Sequence, residues 1–118
     1  MEIIQKQIRL EEIEYYKTHL YIVNALLPVK LAPKEISVLA LFMSFKGDLA
    51  KDRFGSTAKK IVRTKLNLSQ PGLGNYLKSL KRKGFLIKNR ETRELEIIPI
   101  LKPEDSVQMY QFKLINIL

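Results

Sequence analysis

The 118-residue chain has no cysteine, no tryptophan and a single histidine. Without cysteine it can form no disulfide, offers no thiol nucleophile and cannot hold a cysteine-ligated zinc, which suits a reducing compartment. No uninterrupted apolar run approaches the roughly 18 residues of a membrane-spanning helix. The opening MEIIQKQIRLEE is charged throughout and lacks the apolar stretch and small-residue cleavage site of a signal peptide. A soluble protein with no membrane partner is expected, located in the cytoplasm or within a nucleoprotein or viral assembly. No internal repeat or low-complexity segment interrupts the chain.

The lone histidine also narrows the chemistry. His19 falls in an N-terminal segment without candidate catalytic partners, so a structural role is expected. Gly72-x-Gly74 is not a dinucleotide fingerprint, because Leu77 occupies the third glycine position and no strand closely precedes it. Asp48 and Asp52 read as loop residues, and neither they nor Glu11, Glu12 and Glu14 have metal-ligand spacing. The expectation is a protein that is not an enzyme and uses no cofactor or metal.

What the sequence does have is positive charge, unevenly placed. The chain carries 21 Lys and Arg against 12 Asp and Glu, a net +9. From Lys46 to Arg93 there are 14 basic residues against three acids, a local excess of +11, whereas the remainder holds seven basic and nine acidic residues, for −2. A basic block inside a patterned domain is the electrostatic footprint of a nucleic-acid-binding surface. The alternative is a basic face kept for solubility.

Length and a 46% hydrophobic content fit one compact domain with terminal extensions. Ile4, Ile8 and Leu10 predict a short strand within residues 2–10. Ile13, Tyr16, Leu20, Val23 and Leu27 follow helical spacing and predict an amphipathic helix from Glu11 to Leu27, ended by Pro28. Its stripe serves either its own domain or a subunit contact. A second helix is predicted from Pro33 to about Phe45, apolar around almost its whole circumference and therefore central. Ala32 stands at its cap position, a choice costing on the order of 1 kcal/mol, so burial must compensate. Lys46-Gly47-Asp48 marks a turn, followed by a connector over 49–55. Ser56 is expected to cap a helix from Thr57 to about Leu66, with Ala58, Ile61, Val62 and Leu66 inward and Asn67 as its left-handed stop.

The most informative stretch is Leu68 to Ile87. Ser69 can cap a helix, Pro71 fits its first turn and Gly84 can end it. Leu73, Tyr76, Leu77 and Leu80 form one apolar face, while Pro71, Asn75, Lys78 and Arg82 lie opposite. After Gly84 the period changes, and Phe85–Lys88 with Glu94–Ile98 predict a hairpin joined by the polar residues 89–93. From Gln108, Tyr110, Phe112 and Leu114 alternate with Gln111 and Lys113 and predict a further strand, apolar at its end, that docks on its own domain or another chain.

Three helices followed by a hairpin is the winged-helix order, and the chain resembles winged helix-turn-helix regulators of the MarR type. The residues carrying the resemblance are LAPKEISVLALF at 31–42, STAKKIVRTKLNLS at 56–69 and QPGLGNYLKSLKRKGFLI at 70–87, with Leu80, Gly84, Phe85 and Leu86 in the Leu-x-x-x-Gly-Phe-Leu arrangement. The resemblance implies an α+β, mainly α fold with a three-helix core and a β-hairpin wing over 31–102, flanked by extensions at 1–30 and 103–118. It also implies that the helix after the Ser69 cap enters the major groove of duplex DNA while the wing touches the backbone or minor groove. Gly72 and Gly74 depart from it, standing where such proteins place base-reading side chains, and each costs roughly 1 kcal/mol relative to alanine.

The expected contacts are Ser69, Gln70, Asn75, Lys78 and Arg82 in the groove, Lys59, Lys60 and Arg63 on flanking phosphates, and Lys88, Arg90 and Arg93 at the hairpin. Lys59 with Arg63, and Lys78 with Arg82, are like-charged pairs four apart, a repulsion that an anionic partner would relieve. Two functional classes follow. One is a DNA-binding transcriptional regulator, forming homo-oligomers or binding other subunits through its extensions. The other is a non-enzymatic adaptor using the same fold for protein contacts in a larger assembly such as a virus particle.

Overall fold

A computed structural model of the protein describes residues 7–104 and 108–117. Within them the fold is α+β and mainly α. Five helices, α1 (Glu12–Asn24), α2 (Pro33–Ser44), α3 (Asp48–Lys51), α4 (Ser56–Leu66) and α5 (Gln70–Arg82), precede an antiparallel pair, β1 (Leu86–Lys88) and β2 (Leu95–Ile97), and a 3-10 turn at Pro99–Leu101. Among the described residues no helix is long and apolar enough to cross a membrane.

The apolar circumference of α2 makes it the centre. Ile36, Val38, Leu39, Ala40, Leu41 and Phe42 are all buried, and α1, α4 and α5 each pack against this helix. Leu20 and Leu27 complete the core from the α1 side, Ala58 and Val62 from α4, and Leu73, Leu77 and Leu80 from α5. Phe85, Leu86, Ile97 and Leu101 close it beneath the hairpin.

The missing cap at Ala32 is compensated by more than burial. Glu35 Oε1 accepts the Ala32 N–H at 2.7 Å, so the third helical residue reaches back to the cap, although Ala32 itself offers no oxygen. Lys83 Nζ, at the end of α5, lies 2.5 Å from the same Glu35 oxygen and donates to Lys30 O at 3.1 Å. Burial alone would raise the Glu35 carboxyl, but the Lys83, Ala32 and Ser79 hydrogen bonds and the Lys83 charge hold it below its ordinary value.

Both α4 and α5 end in the same way. Asn67 turns left-handed at φ 54°, and the Leu68 N–H reaches back to Arg63 O at 2.8 Å. Gly84 does the same at φ 85°, with the Phe85 N–H on Leu80 O at 2.9 Å. In each case the left-handed residue lets its own N–H and the next one close over orphan carbonyls of the last turn.

Several expected boundaries and elements are corrected. α1 stops at Asn24 because Asn24 turns to the following loop, with its Oδ1 accepting the Leu31 N–H at 2.7 Å and its Nδ2 donating to Leu31 O at 3.1 Å. The connector over 49–55 contains the one-turn helix α3, and its Arg53 donates through Nη1 to the carbonyls of Phe42, Met43 and Phe45 at 2.6, 3.2 and 3.3 Å, finishing the C-terminal end of α2. Ser56 is the first residue of α4 rather than its cap; Gly55 holds the cap position and no side chain bonds there.

Part of the strand expected at 2–10 lies outside the described residues, and 7–10 are irregular and exposed. Nor do residues 108–117 form a strand. Alternating side chains describe any extended segment, whereas a strand also needs a neighbour for its N–H and C=O groups. Instead, Tyr110 anchors this segment through its hydroxyl on His19 Nδ1. Beyond it Phe112, Leu114, Ile115 and Ile117 are all exposed.

Candidate nucleic-acid interface

The two helices that carry most of the expected contacts are joined by only Asn67, Leu68 and Ser69 and pack directly on each other. The Asn67 stop and the Ser69 start therefore fix their relative direction within a few bonds. Ser69 Oγ accepts the Gly72 N–H at 3.0 Å, and Ser69 O accepts the Leu73 N–H at 3.0 Å. Since Pro71 has no N–H, the amino end of α5 keeps only the Gln70 N–H free of these partners. An anion would find little backbone to bind there, and recognition falls to side chains.

Apolar and polar faces of α5 separate cleanly. Leu73, Leu77 and Leu80 are buried and Tyr76 is half-buried, while Pro71, Asn75, Lys78 and Arg82 are exposed. Gln70 and Lys60 are exposed, and Lys59 and Arg63 are half-buried on α4. Among the described residues, none of the basic side chains of Lys59, Lys60, Arg63, Lys78, Arg82, Lys88, Arg90 or Arg93 forms an ion pair; the two pairs present are Lys83–Glu35 and the exposed Lys51–Asp48. The repulsion within Lys59/Arg63 and within Lys78/Arg82 is thus uncompensated by a neighbouring acid.

β1 follows α5 after three residues and packs against it. Lys88 at its far end, with Arg90 and Arg93, forms a second exposed cationic group on the hairpin. Asn89 builds this loop. Its Oδ1 accepts the N–H groups of Glu91 and Thr92 at 2.8 and 3.2 Å, its carbonyl accepts the Arg93 N–H at 2.8 Å, and its Nδ2 donates to Glu96 Oε1 at 2.9 Å. Arg93 is left-handed at φ 61°, a conformation that normally falls to glycine or asparagine.

The α5 glycines differ. A Cβ on Gly72 would come 3.0 Å from Ser69 Oγ, so glycine there makes room for the cap. A Cβ on Gly74 would meet nothing within 4 Å, which removes close helix packing as its reason.

An open cleft of about 510 Å³ lies elsewhere, lined by Tyr15, Tyr16, Met43, Arg53 and Ile97 among others. His19 has both ring nitrogens engaged, Nε2 with Leu101 O at 3.0 Å and Nδ1 with Tyr110, and burial lowers its pKa despite the Leu101 hydrogen bond. Among the described residues no three His, Asp or Glu side chains converge as metal ligands would. Two side chains that shape this region escaped sequence reasoning, Asn89 and Lys83. The Asn-x-x-Thr run opening the polar loop was a usable signal for Asn89; nothing local marks Lys83 as different from its neighbours. No family model, curated protein or solved structure matches the chain.

Proposed function

We propose that the protein is a non-enzymatic DNA-binding winged helix-turn-helix protein acting as a transcriptional regulator. In this reading α4 and α5 are the helix-turn-helix, α5 enters the major groove, and β1, β2 and residues 89–94 are the wing. The observation that carries it is the set of ten cations on α4, α5 and the hairpin that form no ion pair among the described residues, on elements that pack consecutively against one another. Lys59, Lys60 and Arg63 then meet flanking phosphates, Lys78 and Arg82 line the groove with Asn75, Gln70 and Ser69, and Lys88, Arg90 and Arg93 hold the backbone beside it. Asn75 is the side chain best suited to a base, since its amide can pair bidentately with adenine.

Titrating duplex DNA of random sequence at several salt concentrations tests this reading. Affinity should fall steeply with salt, with a log–log slope near −0.9 for each phosphate engaged. Weak binding that salt leaves unchanged would refute it.

A second reading is favoured by a separate observation, the exposed apolar run of Met109, Phe112, Leu114, Ile115 and Ile117. Surface of this kind suits contact with another subunit, as in an adaptor within a larger nucleoprotein or viral assembly. If removing residues 108–118 leaves both oligomeric state and partner capture unchanged, this second reading falls.

A further inference from the structure

Two residues on the basic surface oppose the local backbone, and the fold supplies a reason for neither. Gly74 lies inside α5, where glycine is a poor helix former, yet an added Cβ would touch no other part of the protein. Arg93 adopts φ 61°, which its side chain disfavours, in a loop already shaped by Asn89. The first position lacks a side chain that the helix would welcome. The second carries a charged one where the turn would prefer none.

Both mismatches lie on the unpaired-cation surface. Gly74 follows Pro71 by three residues and precedes Lys78 by four, so the three share the outward stripe of α5. Within a helix the peptide groups of Gly74 serve intrahelical bonds, so the missing side chain provides clearance rather than a hydrogen bond. Clearance beside Lys78 and Arg82 lets the helix settle closer to a polyanion than the long side chains alone would permit.

Resting on the DNA-binding reading above, we infer that α5, lying in the major groove, comes closest to one sugar–phosphate wall of duplex DNA at Gly74, while Arg93 anchors the hairpin to a second stretch of the same backbone. These two contacts are therefore sterically fitted but indifferent to base order, which leaves any base reading to Asn75. Clearance at Gly74 admits a sugar edge of any nucleotide, and Arg93 meets a phosphate common to all.

The test compares Gly74→Ala, Gly74→Leu and Arg93→Gly with the unaltered protein, measuring thermal midpoint and affinity for two random duplexes of different base composition. Gly74→Ala and Arg93→Gly should each raise the midpoint while weakening binding. The expected losses are about tenfold for Gly74→Ala and about a hundredfold for Gly74→Leu, within the range that misfitted methylenes carry at a close contact. Both duplexes should lose equally, and only Arg93→Gly should lower the salt slope, by about one unit. Unchanged or tighter binding by the Gly74 variants, or loss confined to one duplex, overturns the inference while leaving the DNA-binding reading intact. Absence of salt-dependent binding by the unaltered protein overturns both.

Discussion

Three cations in this molecule complete helix ends, while those on α4, the outer side of α5 and the hairpin form no ion pair among the described residues. Lys30 Nζ donates to Asn24 O and Ala25 O at the end of α1, Arg53 covers the last carbonyls of α2, and Lys83 ties the end of α5 to Glu35. On α4, the outer side of α5 and the hairpin loop, the cations are exposed or half-buried and have no acid beside them among the described residues. The same residue types therefore carry different meanings. A lysine or arginine turned onto carbonyls or a buried carboxylate is a structural component, whereas a cluster left mutually repelling stores an electrostatic cost that an anionic ligand can remove. Position in the charge-rich middle of the chain does not distinguish them, for Arg53 and Lys83 both fall inside it.

Breaking the paired side of this contrast should have the largest effect. Glu35→Ala should destabilise the fold by about 2 to 3 kcal/mol in denaturant titration, toward the lower end for a broken buried pair because Lys83 keeps part of its side chain in water. Its affinity for duplex DNA, measured on folded protein, should not change. The reverse pattern is expected on the unpaired side. Replacing Lys78 and Arg82 together by alanine should shift stability by no more than a few tenths of a kcal/mol, since a repulsive pair is removed. It should weaken duplex binding by about tenfold and reduce the salt slope by about two units.

Ser69→Ala sharpens the comparison because Ser69 sits on the basic surface but caps α5. A loss of about 1 kcal/mol in stability with little change in salt slope would mark it as structural. The smallest effect is a pH dependence centred on His19. Burial lowers its pKa below the usual 6.5, so the unfolded chain takes up the proton first. Stability is complete above 6.5 and declines as the pH falls toward the folded-state pKa. The urea midpoint should drop as the pH falls below 6.5, less steeply in His19→Gln.

Much of this architecture is legible in the sequence because it rests on local chemistry. The apolar circumference of Ile36 to Phe42 announces a central helix, and Asn67, Ser69 and Gly84 mark the ends of α4 and α5 through backbone preferences that operate over a few residues. The exposure of Lys78, Arg82, Arg90 and Arg93 follows from the same periodicities. What is not legible depends on distant partners. Arg53 looks like any loop arginine until α2 brings three carbonyls to it. Tyr110 belongs to an alternating run that resembles a strand, yet its partner is His19, 91 positions away. The charge density of the surface is readable from the chain; the distinction between spare and committed cations is not.

The bond between Glu35 and Lys83 joins positions 48 residues apart, and that between Lys83 and Lys30 spans 53. Helices α2 and α5 can wind from neighbouring residues, but this staple requires a long loop to close first. It should therefore form late on the folding route, after the barrier has been crossed. Glu35→Ala would then hasten unfolding by roughly 30- to 150-fold and leave the refolding rate nearly unaltered, so that one lysine at the end of α5 sets how long the folded chain persists rather than how quickly it arises.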